Sequence, residues 1–115
     1  MLIKDNPGLK GLFANTTAGT IGIGMAIRDA GKAGEVITVC YDTQSEIHDL
    51  LGDNSIVATV TQNPFSQGYY AVKLMSKILL EKFYPEKEFY YTRADVIIDS
   101  IQFELYGTGL NHINF

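Results

Sequence analysis

The feature that most constrains this chain is the run EVITVCY at residues 35–41. It is rich in β-branched residues and almost continuously apolar. A strand of this kind is expected to be covered on both faces, and such strands belong to parallel sheets packed between helices. Two further runs read as strands: KGLFA at residues 10–14, bounded by turn residues, and IVATVT at residues 56–61.

Helical signals fill the gaps. Residues 17–31 place Ala18, Ile21, Gly22 and Met25 on one face, with Ile23, Ala26, Ile27 and Ala30 beside it. Thr16 or Thr17 can cap this helix, and Gly31 or Gly34 supplies its stop. Thr43-Gln44-Ser45-Glu46 has the pattern of a capping box and opens a short helix through Leu51. Pro64 lies near the start of a long helix to about Phe83, with the stripe Phe65, Tyr69, Val72, Met75, Leu79 and Phe83; Pro85 ends it. Residues 94–100 and 102–106 are weaker strand candidates. The alternation predicts an α/β fold, a parallel sheet flanked by helices with right-handed crossovers.

The 115 residues suffice for one small domain with its own core. The net charge of −4, spread without long runs, is a poor match for nucleic acid. No apolar run reaches the length of a membrane span. Cys40 is the sole cysteine, so no internal disulfide or cysteine-based zinc site can form, and its apolar surroundings predict a buried, inert thiol. The first residues carry no basic-then-apolar leader pattern. They read as the end of a helix followed by the breaker Asn6-Pro7-Gly8, so the chain is expected to be a piece of a longer one.

In open parallel sheets, ligands bind beyond the carboxyl ends of the strands. Those positions are Asn15 and Thr16 after the first strand, Asp42 after the second and Gln62 after the third. A carboxylate accepts from neighbouring hydroxyls, and an amide donates and accepts at once. That set suits a neutral polyol or sugar. Helix capping competes as a role for Thr16 and Thr17, and less so for Asp42 because Thr43 can cap the same helix.

Other features point elsewhere. Gly19, Gly22 and Gly24 superficially suggest a phosphate loop, but they fall inside a helix, where close packing explains them. His48 and His112 lack the spacing of a helix-borne metal site, so no metal or cofactor is expected. Glu46 and Asp49 read as an exposed charged face. The aromatics Phe83, Tyr84, Phe89, Tyr90 and Tyr91 suit cover for a sheet edge or a partner surface, or a stacking platform for a sugar. No paired acid and base or activated nucleophile is present, which argues against an enzyme.

The segments GLFANTTAGTIGIGMAIRDAGKAGEVITVCYD and IVATVTQNPFSQGYYAVKLM resemble the C-terminal part of type I periplasmic sugar-binding proteins. The same fold, a pair of flavodoxin-like lobes, serves LacI/GalR-type repressors as their effector-binding core. The resemblance spans about residues 8–100. It implies that Asp42 and Gln62 contact a pentose or hexose, and their separation of twenty residues matches ribose-binding-like members without a gap. A third contact, often asparagine or aspartate, aligns with Thr16, with Asn15 just before it. The strand end reads Cys40-Tyr41-Asp42 where Gly-Phe-Asp is usual.

The resemblance further implies a division of the chain. Residues 1–61 would be part of the C-terminal lobe, 62–64 the hinge crossing, and 65–115 the returning helix and strands of the N-terminal lobe plus a tail. Family members are more than twice as long, so apolar helix faces are expected to need the remainder of the chain or a second copy. The implied role is an extracytoplasmic receptor, periplasmic or lipoprotein-anchored, that delivers sugar to an ABC permease. The alternatives are the cytoplasmic effector domain of a LacI-type regulator, reaching DNA through a separate N-terminal domain, and the sugar-sensing domain of a signalling kinase.

Overall fold

The computed structural model describes residues 2–98. The elements follow in the order α1 (Leu2–Asp5), β1 (Gly11–Phe13), α2 (Thr17–Asp29), β2 (Ile37–Tyr41), α3 (Ser45–Gly52), β3 (Ala58–Thr61), α4 (Pro64–Glu81) and β4 (Asp95–Ile97). The fold is α/β, as the alternating sequence requires. The sheet order is β1-β2-β3-β4. β1, β2 and β3 pair in parallel, so their carboxyl ends share one edge. The strand candidate at 102–106 and His112 lie outside the described residues.

The chain divides into two compact units. One holds the residues up to Thr61 together with β4; the other runs from Gln62 to Ala94. β4 lies antiparallel to β3, with Thr61 opposite Asp95. The physical reason is the route of the chain. It leaves the sheet at Thr61 and re-enters beside that same residue, so the returning strand must run backwards. β4 joins the sheet of the first unit.

In the first unit, α2 and α3 pack on one sheet face. Cys40 and Ile97 from the sheet join Ile47, Leu50 and Leu51 of α3 and Ile56 in the core, with Ile21 and Ile23 of α2 against it. A second cluster joins Ile3, Ile27 and Val36. Gly24 explains how closely the helices approach: a Cβ there would lie 2.7 Å from Leu50 Cδ1. The glycines of α2 are therefore helical, not part of a phosphate loop.

The opposite sheet face departs from expectation. Register places Phe13 beside Val39, and Tyr41, Val60 and Val96 side by side on that face. Phe13 is 62% exposed, Ile37 52% and Val96 63%. β2 is thus fully covered only through Thr38 and Cys40. Both helices that follow the first two strands pack on the same face, so within the described residues of this unit none covers the other.

In the second unit, Asn63 caps α4 by accepting the Ser66 N–H at 3.0 Å, and Pro64 opens the helix. A first-turn proline costs no helical hydrogen bond there. Lys82, in the left-handed region, ends the helix before Pro85 is reached. Phe65, Tyr69, Val72, Met75 and Leu79 are all more than half exposed. Tyr69 stacks on Phe65, their ring planes 8° apart.

Candidate functional site

The shared carboxyl edge of β1 and β2 is tied together by hydroxyl groups. At the exit of β1, the Ala14 N–H donates to the Val39 carbonyl. Asn15 and Thr16 follow, both exposed. Thr16 is extended and caps α2, its Oγ1 accepting the Gly19 N–H at 3.1 Å. Thr17 is the first residue of α2, and its hydroxyl donates to the Asp42 carboxylate at Oδ2. One turn later Thr20, fully buried, donates to the Tyr41 carbonyl at 2.9 Å and accepts the Tyr41 N–H at 3.3 Å. Residues three apart share a helix face, so Thr17 and Thr20 meet the end of β2 together.

Asp42 is held at several atoms. Its N–H donates to the Val60 carbonyl at 3.0 Å, and its carbonyl accepts from Thr59 Oγ1 at 2.7 Å. Its φ is +80°, in a region that side chains usually avoid and that aspartate tolerates better than most. Backbone conformations of this sort concentrate where surrounding structure over-determines them, often at functional sites.

The residues predicted from the sequence occupy different settings. Asp42 belongs to the first unit and is half-buried, linked directly to α2. Thr16 and Asn15 sit at the exit of β1, and the hydroxyl oxygen of Thr16 is engaged as a cap. Gln62 is the exposed first residue of the second unit. Its carbonyl accepts from Gln67 Nε2 at 2.8 Å and from Thr92 Oγ1 at 3.4 Å. The sequence offers Thr17 only as a possible cap. The available signal was the pair of threonines three positions apart, on a helix facing the next strand.

One helix start settles an open choice of the sequence reading, and the other departs from it. The capping role open to either Thr16 or Thr17 falls to Thr16. The box at Thr43–Glu46 does not form: Gln44 is the cap of α3 and makes no side-chain cap bond, while Ser45 Oγ donates to Glu46 Oε2 at 3.1 Å. Asp42 has a positive φ, and the helix begins at Ser45, two residues past Thr43.

The end of β2 offers a carboxylate acceptor held by the Thr17 hydroxyl. Cys40 is buried two residues before Asp42, and burial pushes its thiol up, away from the reactive thiolate. His48 Nδ1 lies 3.5 Å from Asp49 Oδ1. Among the described residues, no group of three or more His, Cys, Asp or Glu could hold a metal ion. A hollow of about 230 Å³ lined by Lys10, Lys32, Glu35 and Val36 lies at the amino ends of β1 and β2, opposite to Asp42.

Hydrogen-bonding side chains thus follow each of the parallel strands of an α/β sheet. The chain belongs to the periplasmic binding protein domain family, whose model matches residues 1–82. It is 32% identical over 78 residues to the D-ribose/D-allose-binding protein of Pseudomonas aeruginosa, covering 68% of this chain and 24% of that protein. It is 31% identical over 74 residues to the D-allose-binding periplasmic protein of Escherichia coli, covering 64% and 24%. Among solved structures, it resembles an ABC transporter solute binding protein from Agrobacterium vitis with bound D-fucose, with 33% identity and a TM-score of 0.77 over 84% of this chain and 33% of that one. The chain therefore spans about a quarter of the length of the curated relatives it matches. Among the described residues, no helix is long and apolar enough to cross a membrane.

Proposed function

We propose that this chain is the carbohydrate-binding segment of a bacterial sugar receptor that serves an ABC transporter. Asp42 is the principal sugar contact, Gln62 the second, and Thr16 with Asn15 the third. The single observation that carries this reading is the Asp42 carboxylate, bonded by the Thr17 hydroxyl, at the carboxyl edge of a parallel sheet. The relatives named for ribose and allose support a pentose or hexose as ligand. A carboxylate held to accept hydroxyl protons makes bonds about twice as strong as neutral ones.

On the same reading, residues 62–64 are a hinge crossing and residues up to 61 part of one lobe. The division of the chain at Gln62 supports this. The protein works outside the cytoplasm by analogy with its periplasmic relatives, and its role is binding without catalysis. Its partners are a permease and further chain, its own or that of a second copy, which covers the exposed apolar faces. The receptor reading ranks above a LacI-type regulator or a kinase sensor because the relatives above 30% identity are named as binding proteins.

Calorimetry with a panel of pentoses and hexoses tests the proposal, on this chain and on the longest natural form that contains it. One sugar should bind, and Asp42→Ala should weaken it by roughly 100-fold, the loss of one or two charged hydrogen bonds. Unchanged affinity in that variant would remove Asp42 from the site.

A further inference from the structure

We infer that Thr17 is a positioning residue for the Asp42 carboxylate, setting its direction before the sugar arrives; this rests on the sugar-binding reading above. The hydroxyl of Thr17 is directed at Asp42 Oδ2, across 25 residues of sequence. Thr17 is not needed as the cap of α2, because Thr16 takes that role. A hydroxyl carries one proton, so the Thr17 proton given to Asp42 is not given to a ligand. Its effect on the sugar therefore passes through the carboxylate.

The surroundings make this effect specific. The backbone of Asp42 is already fixed through Val60 and Thr59, and the preceding residue through Thr20. Those contacts hold the backbone, and the Thr17 hydroxyl reaches the carboxylate itself. A carboxylate ordered beforehand spares the ligand the cost of freezing it, which is a gain in affinity from preorganisation. Thr17 is itself anchored, as part of the 13-residue helix whose buried Thr20 grips β2. The two threonines divide the work: Thr20 places the strand end, and Thr17 aims the acid.

The test combines side-chain NMR with sugar titration. In the ligand-free protein, three-bond couplings of Asp42 should report one χ1 rotamer. Thr17→Val, close in shape but without the hydroxyl, should give rotamer averaging, and Thr17→Ser should restore the single rotamer. Thr17→Ala serves as a second hydroxyl-free variant if the valine disturbs the helix. Sugar affinity should fall roughly 10-fold in the hydroxyl-free variants and return to within about threefold of wild type in Thr17→Ser, with melting temperatures close to wild type. A single Asp42 rotamer in both hydroxyl-free variants would overturn the inference, whatever the sugar does. Averaging without loss of affinity would also overturn it, by showing that preorganisation is irrelevant to binding. Absence of sugar binding in the longest natural form would overturn the functional reading, and the rotamer measurement would separately decide whether Thr17 orders Asp42.

Discussion

The Thr20 hydroxyl is bonded to both polar atoms of the Tyr41 backbone, donating to the carbonyl at 2.9 Å and accepting the N–H at 3.3 Å. A buried side chain on α2 thus replaces the ladder partner that the end of β2 would otherwise need. Thr20→Val keeps the shape and removes both bonds, leaving polar backbone atoms undersatisfied. It should cost roughly 1–3 kcal/mol in urea unfolding. Thr20→Ser should cost about 0.8 kcal/mol, the loss of one buried methyl group. Equal costs for the two would show that the bonds contribute nothing.

Asn63 combines two demands. It occupies the left-handed region at φ +49° and caps α4 through Ser66. Asn63→Ala loses the cap and meets the steric penalty of that conformation, so it should destabilise α4 by roughly 2 kcal/mol. Asn63→Gly loses the cap side chain without the steric penalty and should cost less, about 0.3 kcal/mol. Hydrogen exchange at the Ser66 and Gln67 amides reads the difference locally, and glycine proving worse than alanine would refute it.

Low pH should weaken the Arg28–Asp53 link. Burial alone would raise the Asp53 carboxyl, but hydrogen bonding from Ser55 and the Arg28 guanidinium outweigh it and hold the group below its usual range. A carboxyl lowered on folding adds stability that is complete above its unfolded value and is lost as pH falls through the folded value. The loss therefore falls below about pH 4. Both side chains are more than one third exposed, so solvent screening limits the effect to about 0.5 kcal/mol. The Lys32 ammonium lowers Glu35 as well, through a hydrogen bond and its charge, so the wild type alone cannot assign the slope. Urea unfolding of Asp53→Asn against wild type isolates it: the gap should shrink as pH falls from about 6 to about 3. A constant gap would count against the link.

The open sheet face carries Phe13, Ile37 and Val96 in solvent, with Val39, Tyr41 and Val60 half-covered between them. Contiguous apolar area of this kind is uncommon on a stable monomer. The isolated chain should bind a hydrophobic dye and self-associate with concentration in sedimentation experiments. Phe13→Thr together with Val96→Thr should reduce both signals while the far-ultraviolet circular dichroism stays unchanged. A dye-silent monomer at every concentration would contradict this.

The candidate site was partly legible because strand ends leave local marks. Asp42 and Gln62 could be found by where apolar runs stop, and Asn15 and Thr16 by the same rule. Thr17 could not be separated from Thr16, since both are good caps and only the direction of the chain entering α2 decides which one caps. The positive φ of Asp42 and the start of α3 at Ser45 were equally invisible.

The sequence by itself determined the order of strands and helices, the burial of Cys40, the helical setting of Gly19, Gly22 and Gly24, and the polar residues that follow each parallel strand. These depend on periodicity and on neighbours within a few residues. Tertiary structure alone decided that β4 runs antiparallel, that α2 and α3 share one sheet face, and that Thr17 reaches Asp42. Each of those is a meeting of segments distant in sequence, fixed by how the chain re-enters the sheet and which face its helices cover. A local pattern records neither.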